Sequence, residues 1–136
     1  YITAERDSLS APLDKIQIIK GWTENGKINE VVYDVICSDD REINNRNNKC
    51  KETKASVNFE NCSFDENYGS DRLEVIWTDT EYTPDQNTFY YARAIENPTC
   101  RWSTYDSIRI DEKPAKNYPK ITREMAWSSP IWIKNK

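Results

Sequence analysis

Ile16-Gln17-Ile18-Ile19-Lys20-Gly21-Trp22, the turn Glu24-Asn25-Gly26-Lys27, and Val31-Val32-Tyr33-Asp34-Val35-Ile36-Cys37 follow one another within a short span of chain. The first run is rich in β-branched residues, and Asn-Gly tolerates the positive φ angles that a tight hairpin needs. In the second run Val31, Tyr33, Val35 and Cys37 share one face, which is expected to point to the core, with Asp34 on the other side. A two-stranded hairpin is thus the nucleus of the predicted fold.

Outward from it, Ser38 to Thr53 is polar almost throughout and reads as a long exposed loop. Ser56 to Phe59 reads as a short strand, followed by a second polar loop through Gly69. Leu73, Val75 and Trp77 alternate with Glu74, Ile76 and Thr78, the pattern of a half-buried strand. Tyr82 to Asn87 reads as a turn, and Thr88 to Ile95 is the most strand-like run and is expected at the centre of a sheet. Beyond Pro98 a Trp- and Tyr-bearing loop runs to Asp106, and Pro114 and Pro119 bracket an irregular stretch. Ile121 to Ala126 is expected to make one helical turn, and Ser128 to Lys134 a last strand with Pro130 at an edge or bulge. With Ile2 to Arg6 at the start, this makes about seven strands, an all-β antiparallel β-sandwich with long polar loops in a single domain over residues 1–136.

Composition agrees. The 136 residues include five Trp and eight Tyr but only three Gly and one Met, a mixture that favours sheet over helix. The chain starts at Tyr1 inside a strand-like stretch, so it reads as a fragment of something longer. The net charge is −4 and the cations are scattered, which argues against nucleic acid or an anionic membrane as partner. No run approaches the roughly 20 apolar residues of a membrane span.

The chain has no histidine, which removes the commonest metal ligand and the usual neutral-pH general base. Cys37, Cys50, Cys62 and Cys100 are even in number and lack a C-x-x-C pair, so disulfides suit them better than zinc, and a periplasmic or secreted location follows. Three connectivities are open. If the strands alternate in direction, Cys37 leaves one strand where Cys50 approaches the next, and Cys62 and Cys100 follow strands that finish at the opposite end, which favours Cys37–Cys50 and Cys62–Cys100.

Few residues offer chemistry. Asp39, Asp40, Glu42 and the neighbouring asparagines supply oxygens that calcium prefers, but without the spacing of a calcium loop they read as a solvated surface. Asn61-Cys62-Ser63 fits a glycosylation sequon only formally. Nothing in the spacing joins Glu96, Arg101, Asp106, Glu112 and Glu124 into an acid/base pair, so no catalytic residue and no metal or cofactor is assigned. Of Trp22, Trp77, Trp102, Trp127 and Trp132, Trp77 is in phase with the core, whereas exposed members of the set would form a sugar-stacking platform.

The hairpin run Ile16 to Trp22, Val32 to Val35, Phe89 to Arg93, the long motif Glu96-Asn97-Pro98-Thr99-Cys100-Arg101-Trp102-Ser103-Thr104, and Ala126-Trp127-Ser128-Ser129-Pro130-Ile131-Trp132 carry a resemblance over the whole chain. They resemble, in order, the carboxy-terminal end of the bacterial domain of unknown function 3604 family. That family looks related to the polymerase and histidinol phosphatase superfamily, whose catalytic part binds divalent metals through His- and Asp-rich motifs absent from this sequence. The resemblance implies a non-catalytic accessory domain whose partner is an upstream catalytic, metal-dependent, phosphoesterase-like region of the same protein. A binding module for polysaccharide or another protein is the alternative. Arg101 and Trp102, with Tyr105 behind them, are the expected docking residues, because Arg and Trp dominate interface hot spots and loops on a rigid sandwich carry partner contacts. The competing reading makes Trp102 a cap on the core and pairs Arg101 with a carboxylate such as Asp106.

Overall fold

The computed structural model describes residues 1–113 and 116–134; Pro114, read above as one bracket of an irregular stretch, lies outside them. The strands are β1 (Ile2–Glu5), β2 (Leu13–Glu24), β3 (Lys27–Cys37), β4 (Ile43–Asn44), β5 (Lys49–Cys50), β6 (Arg72–Val75), β7 (Thr88–Glu96), β8 (Thr99–Cys100), β9 (Ile121–Thr122), β10 (Met125–Trp127) and β11 (Ile131–Ile133), with the helix α1 (Trp102–Arg109) between β8 and β9. The strand pairings are antiparallel and no sheet among the described residues closes on itself, so the fold is all-β and sandwich-like.

The hairpin forms where the sequence places it. Asn25 and Gly26 hold φ of 50° and 74°, the left-handed pair that a two-residue turn requires, and Glu24 faces Lys27 across it. β2 pairs with β3 on one side and with β7 on the other, so β7 is central as expected, and its second edge is shared by β10 and β11. Pro130 falls in the break between those two, where it costs no ladder hydrogen bond. The order across the main sheet is β10–β7–β2–β3, with β11 also on β7, and a separate two-stranded sheet of β1 and β6 covers part of one face.

That face carries the core. Leu13, Ile16 and Ile18 of β2 meet Val35 of β3 and Leu73 of β6, and Tyr33, Trp77 and Tyr90 extend the cluster as neighbouring rings, 5.3 Å and 6.2 Å apart. Lys20, on the same face, would be costly to bury alone; its Nζ lies 2.6 Å from Asp79, which accepts a 2.6 Å hydrogen bond from the Tyr90 hydroxyl. Burial, with Glu81 beside it, pushes the Tyr33 phenol up to about 12.

Several expectations need correction. Ser56 to Phe59 is not a strand but one bridge, Val57 to Phe64. The polar stretch after Cys37 contains the small hairpin β4–β5, because Arg41 ties it inward by donating to the carbonyls of Ser38, Asp14 and Lys51. The segment after Pro98 is α1 rather than a loop, and Ile121 to Ala126 is not helical but supplies β9 and β10. Asp34 lies opposite the core as read, yet it is buried, bound by the Lys15 ammonium, the Gln17 amide and the Cys50 N–H. Burial alone would push its carboxyl up; these partners together outweigh that and hold it below the ordinary carboxylate range.

Candidate functional site

Thr99 and Cys100 of β8 pair with Thr122 and Ile121 of β9, and Arg101 donates its N–H to the Lys120 carbonyl at 2.9 Å. The chain then turns into α1, whose first turn is fixed by Thr104 and Tyr105 N–H bonds to the Arg101 carbonyl and by the Thr104 hydroxyl on Lys120. Cys100 is joined to Cys62, and the Tyr105 hydroxyl donates to the Cys62 carbonyl at 3.2 Å. The other disulfide joins Cys37 to Cys50. α1 is therefore anchored by a covalent bond, a strand pair and side-chain hydrogen bonds.

On this frame Trp102 is 70 % exposed and Tyr105 42 % exposed. Trp102 is therefore not a cap on the core. Arg101 lies over the Tyr118 ring, its guanidinium carbon 5.9 Å from the centroid. Arg101, Trp102 and Tyr105 all line one cleft of about 630 Å³, together with the exposed apolar side chains Leu9 and Ile121.

Glu96 and Glu124 line the same cleft, and the Glu96 N–H donates to the Glu124 carbonyl at 3.0 Å. Burial pushes the Glu96 carboxyl above its ordinary value; Glu124 and Asp7 add to this, while the Ser10 hydroxyl and Arg6 oppose it. Its Oε2 is buried with no hydrogen-bond partner among the described residues. Of the acids considered in the sequence, then, the structure gathers Glu96 and Glu124 beside Arg101, whereas Glu112 lines a separate hollow with Phe59 and Lys120. Asp39 and Glu42, the calcium-like acids, face protein donors: Asp39 accepts from the Gly69 N–H and Glu42 pairs with Lys51.

A second feature lies on the main-sheet face away from the core. Phe89 packs on Trp132 with centroids 5.0 Å apart and stacks near-parallel to Tyr91 at 6.4 Å. Trp127 sits opposite Arg93 on β7 and Trp132 opposite Phe89, four positions along the same strand and so on the same face, about 13 Å apart by strand rise. Both are more than half exposed. Trp22 lies beside Lys20, whose ammonium is 5.4 Å from its ring, and Trp77 is in the core.

These features define a disulfide-bonded antiparallel β-domain with an apolar cleft at one end and an aromatic strip on one face. Residues 1–135 match the family described as Protein of unknown function (DUF3604), and the chain belongs to that family. Comparison with curated proteins and with solved structures yields no match. The two disulfides suit an oxidising, extracytoplasmic setting, and no helix among the described residues is long and apolar enough to cross a membrane.

Proposed function

We propose that this chain is a non-catalytic accessory domain at the carboxy-terminal end of a periplasmic or secreted, metal-dependent hydrolase of the phosphoesterase type, and that it docks on the catalytic region through the Trp102 cleft. The divalent metal and the hydrolytic chemistry belong to that upstream region. The observation that carries the reading is a Trp 70 % exposed on a firmly anchored helix start, flanked by Arg101 and exposed Leu9. Such an arrangement spends little ordering entropy on binding, and Trp and Arg are the residues most enriched at interface hot spots.

The test is Trp102→Ala. Only about a third of the ring's surface is covered, so truncation costs this chain about 1 to 2 kcal/mol at most, against about 3 to 5 kcal/mol for a buried Trp. In the full-length protein the same change lowers hydrolytic activity or frees the domain to limited proteolysis. Unchanged activity and proteolysis would overturn the docking reading.

The aromatic strip supports a second reading, a polysaccharide-binding module. Two exposed indoles on one sheet face beside a stacked Phe–Tyr pair are the surface on which sugar rings stack. Retention of the chain on insoluble polysaccharide, lost in the Trp127→Ala/Trp132→Ala double variant, would favour it over docking.

A further inference from the structure

The two layers of the sandwich are unequal. The main sheet is five-stranded, but among the described residues its cover on the core face has only β1 and β6. Beyond β1 the cover stops, and Ala92 and Ala94 of β7 with Ala126 of β10 form the floor of a groove of about 390 Å³. Every residue of β1 lines one wall, and residues Glu124 to Ser128 line the other. β1 pairs with β6 along one edge, and no strand among the described residues pairs with the edge it turns to this groove. A floor of methyl groups lets another backbone approach closely, and β1 offers about 13 Å of edge, the length of a four-residue strand.

One end of the groove is acidic. Glu5 closes β1 there, Glu96 and Glu124 stand beside it, and the Glu96 Oε2 lacks a partner among the described residues. Glu5 is itself paired with Arg72 at 3.5 Å, which leaves Glu96 and Glu124 as the acids for a ligand; Arg6 is engaged with Glu66 and Asp71, each at 2.9 Å, and Arg123 with Asp14.

We propose that this groove takes an extended strand of a partner protein, which adds to the free edge of β1 as a third strand of the cover, lays apolar side chains on Ala92 and Ala94, and sets a lysine or arginine beside Glu96 and Glu124. Main-chain pairing gives the affinity, the alanine floor selects alternate apolar residues, and the carboxylates select the basic residue and hence the direction of the strand. The groove shares Glu96 and Glu124 with the Trp102 cleft, but β1, Ala92, Ala94 and Ala126 line the groove alone and Trp102 lines the cleft alone, so variants at those positions test the two readings apart.

The test is selection of short displayed peptides against the folded, disulfide-bonded chain, followed by binding and amide hydrogen exchange with the winning synthetic peptide. The expected consensus alternates apolar residues and has Lys or Arg at one end. Ala94→Leu and Ala126→Phe, which fill the floor from two different strands, each weaken binding about ten-fold, whereas Ile28→Thr on the distant hairpin leaves it unchanged. Glu96→Gln relaxes the preference for the basic residue, and the β1 amides gain protection. Failure to select a binder, peptides that bind the Ala94→Leu and Ala126→Phe variants as well as the parent, or no added protection in β1 would overturn the proposal. So would a concentration-dependent dimer abolished by Ala94→Leu, which would give the groove to a second copy of the chain.

Discussion

Asp14→Asn is the most informative single change to the fold. Asp14 in β2 is 1 % exposed, and its two carboxylate oxygens receive Arg41 and Arg123, so one side chain ties β2, the polar stretch after β3 and the segment entering β10. Removing one partner of a buried ionic cluster costs about 3 to 5 kcal/mol, because the cations left behind are uncompensated. Here the low end applies: the arginine side chains retain 11 % and 27 % exposure, and Arg41 keeps its bonds to three carbonyls. A loss of about 3 kcal/mol corresponds to about 12 °C in the melting midpoint for a chain of this size. Circular-dichroism melts at pH 7, with urea titrations to show that the m value is unchanged, measure it. Arg123→Met should cost less when Asp14→Asn is already present, since the two act on one contact. The exposed pair Lys51–Glu42 is the control, and Glu42→Gln should leave the midpoint where it was. A fall of under about 3 °C for Asp14→Asn, or strict additivity with Arg123→Met, would refute the clamp.

Three further outcomes follow from the same packing. Cys62–Cys100 spans 38 positions and Cys37–Cys50 spans 13, so on the loop-entropy estimate removing the first pair costs about 4 kcal/mol and the second about 3 kcal/mol; urea titration of the paired Ser variants gives the order, and the reverse order would contradict it. Because burial raises the Glu96 carboxyl in the fold, its contribution is fully favourable below the ordinary value of 4.5 and is lost as pH rises through the folded-state value; Glu96→Gln should therefore raise the melting midpoint at pH 7 and give no gain at pH 4. A Cβ at Gly21 would collide with the Phe89 ring, so Gly21→Ala should cost about 1 to 3 kcal/mol and alter the near-ultraviolet aromatic signal; an unchanged spectrum would show that the strip of Phe89, Tyr91 and Trp132 does not rest on that glycine.

The parts of the fold written in local sequence were legible. Asn25-Gly26 specifies its own turn, and the runs on either side alternate or branch in a way that only a strand uses. What escaped reading was decided by distant partners. Trp102-Ser103-Thr104-Tyr105 has no strong helix formers, and it coils because the disulfide at Cys100 and the Lys120 carbonyl hold its first turn. Ile121 to Trp127 becomes strand because Thr99 to Cys100 and the edge of β7 present ladders to it, a fact absent from its own residues. Arg101, Trp102 and Tyr105 could be chosen by residue type, but their gathering beside Glu96 and Leu9 could not. The groove left its trace in plain sight: Ala92 and Ala94 alternate in a strand otherwise built of bulky residues, and small residues at alternate positions mean a surface prepared for close approach.

The arrangement of the main sheet also dictates an order of events during synthesis. β2 meets β3 across a two-residue turn, so that hairpin, with the Cys37–Cys50 bond just beyond it, is available as soon as the first half of the chain has emerged. The other edge of β2 has no local partner: Ile18 must wait for Ala92, and Ile19 for Tyr91. Until β7 appears, the nascent protein presents a twelve-residue strand with one open edge and an uncovered core face bearing Ile16 and Ile18, a condition prone to mispairing with a neighbouring chain. Non-local closure of this kind is slow. The yield of the folded protein should therefore depend on how quickly β7 reaches β2, and an excess of chaperone or a lower temperature should recover more of it than extra oxidant would.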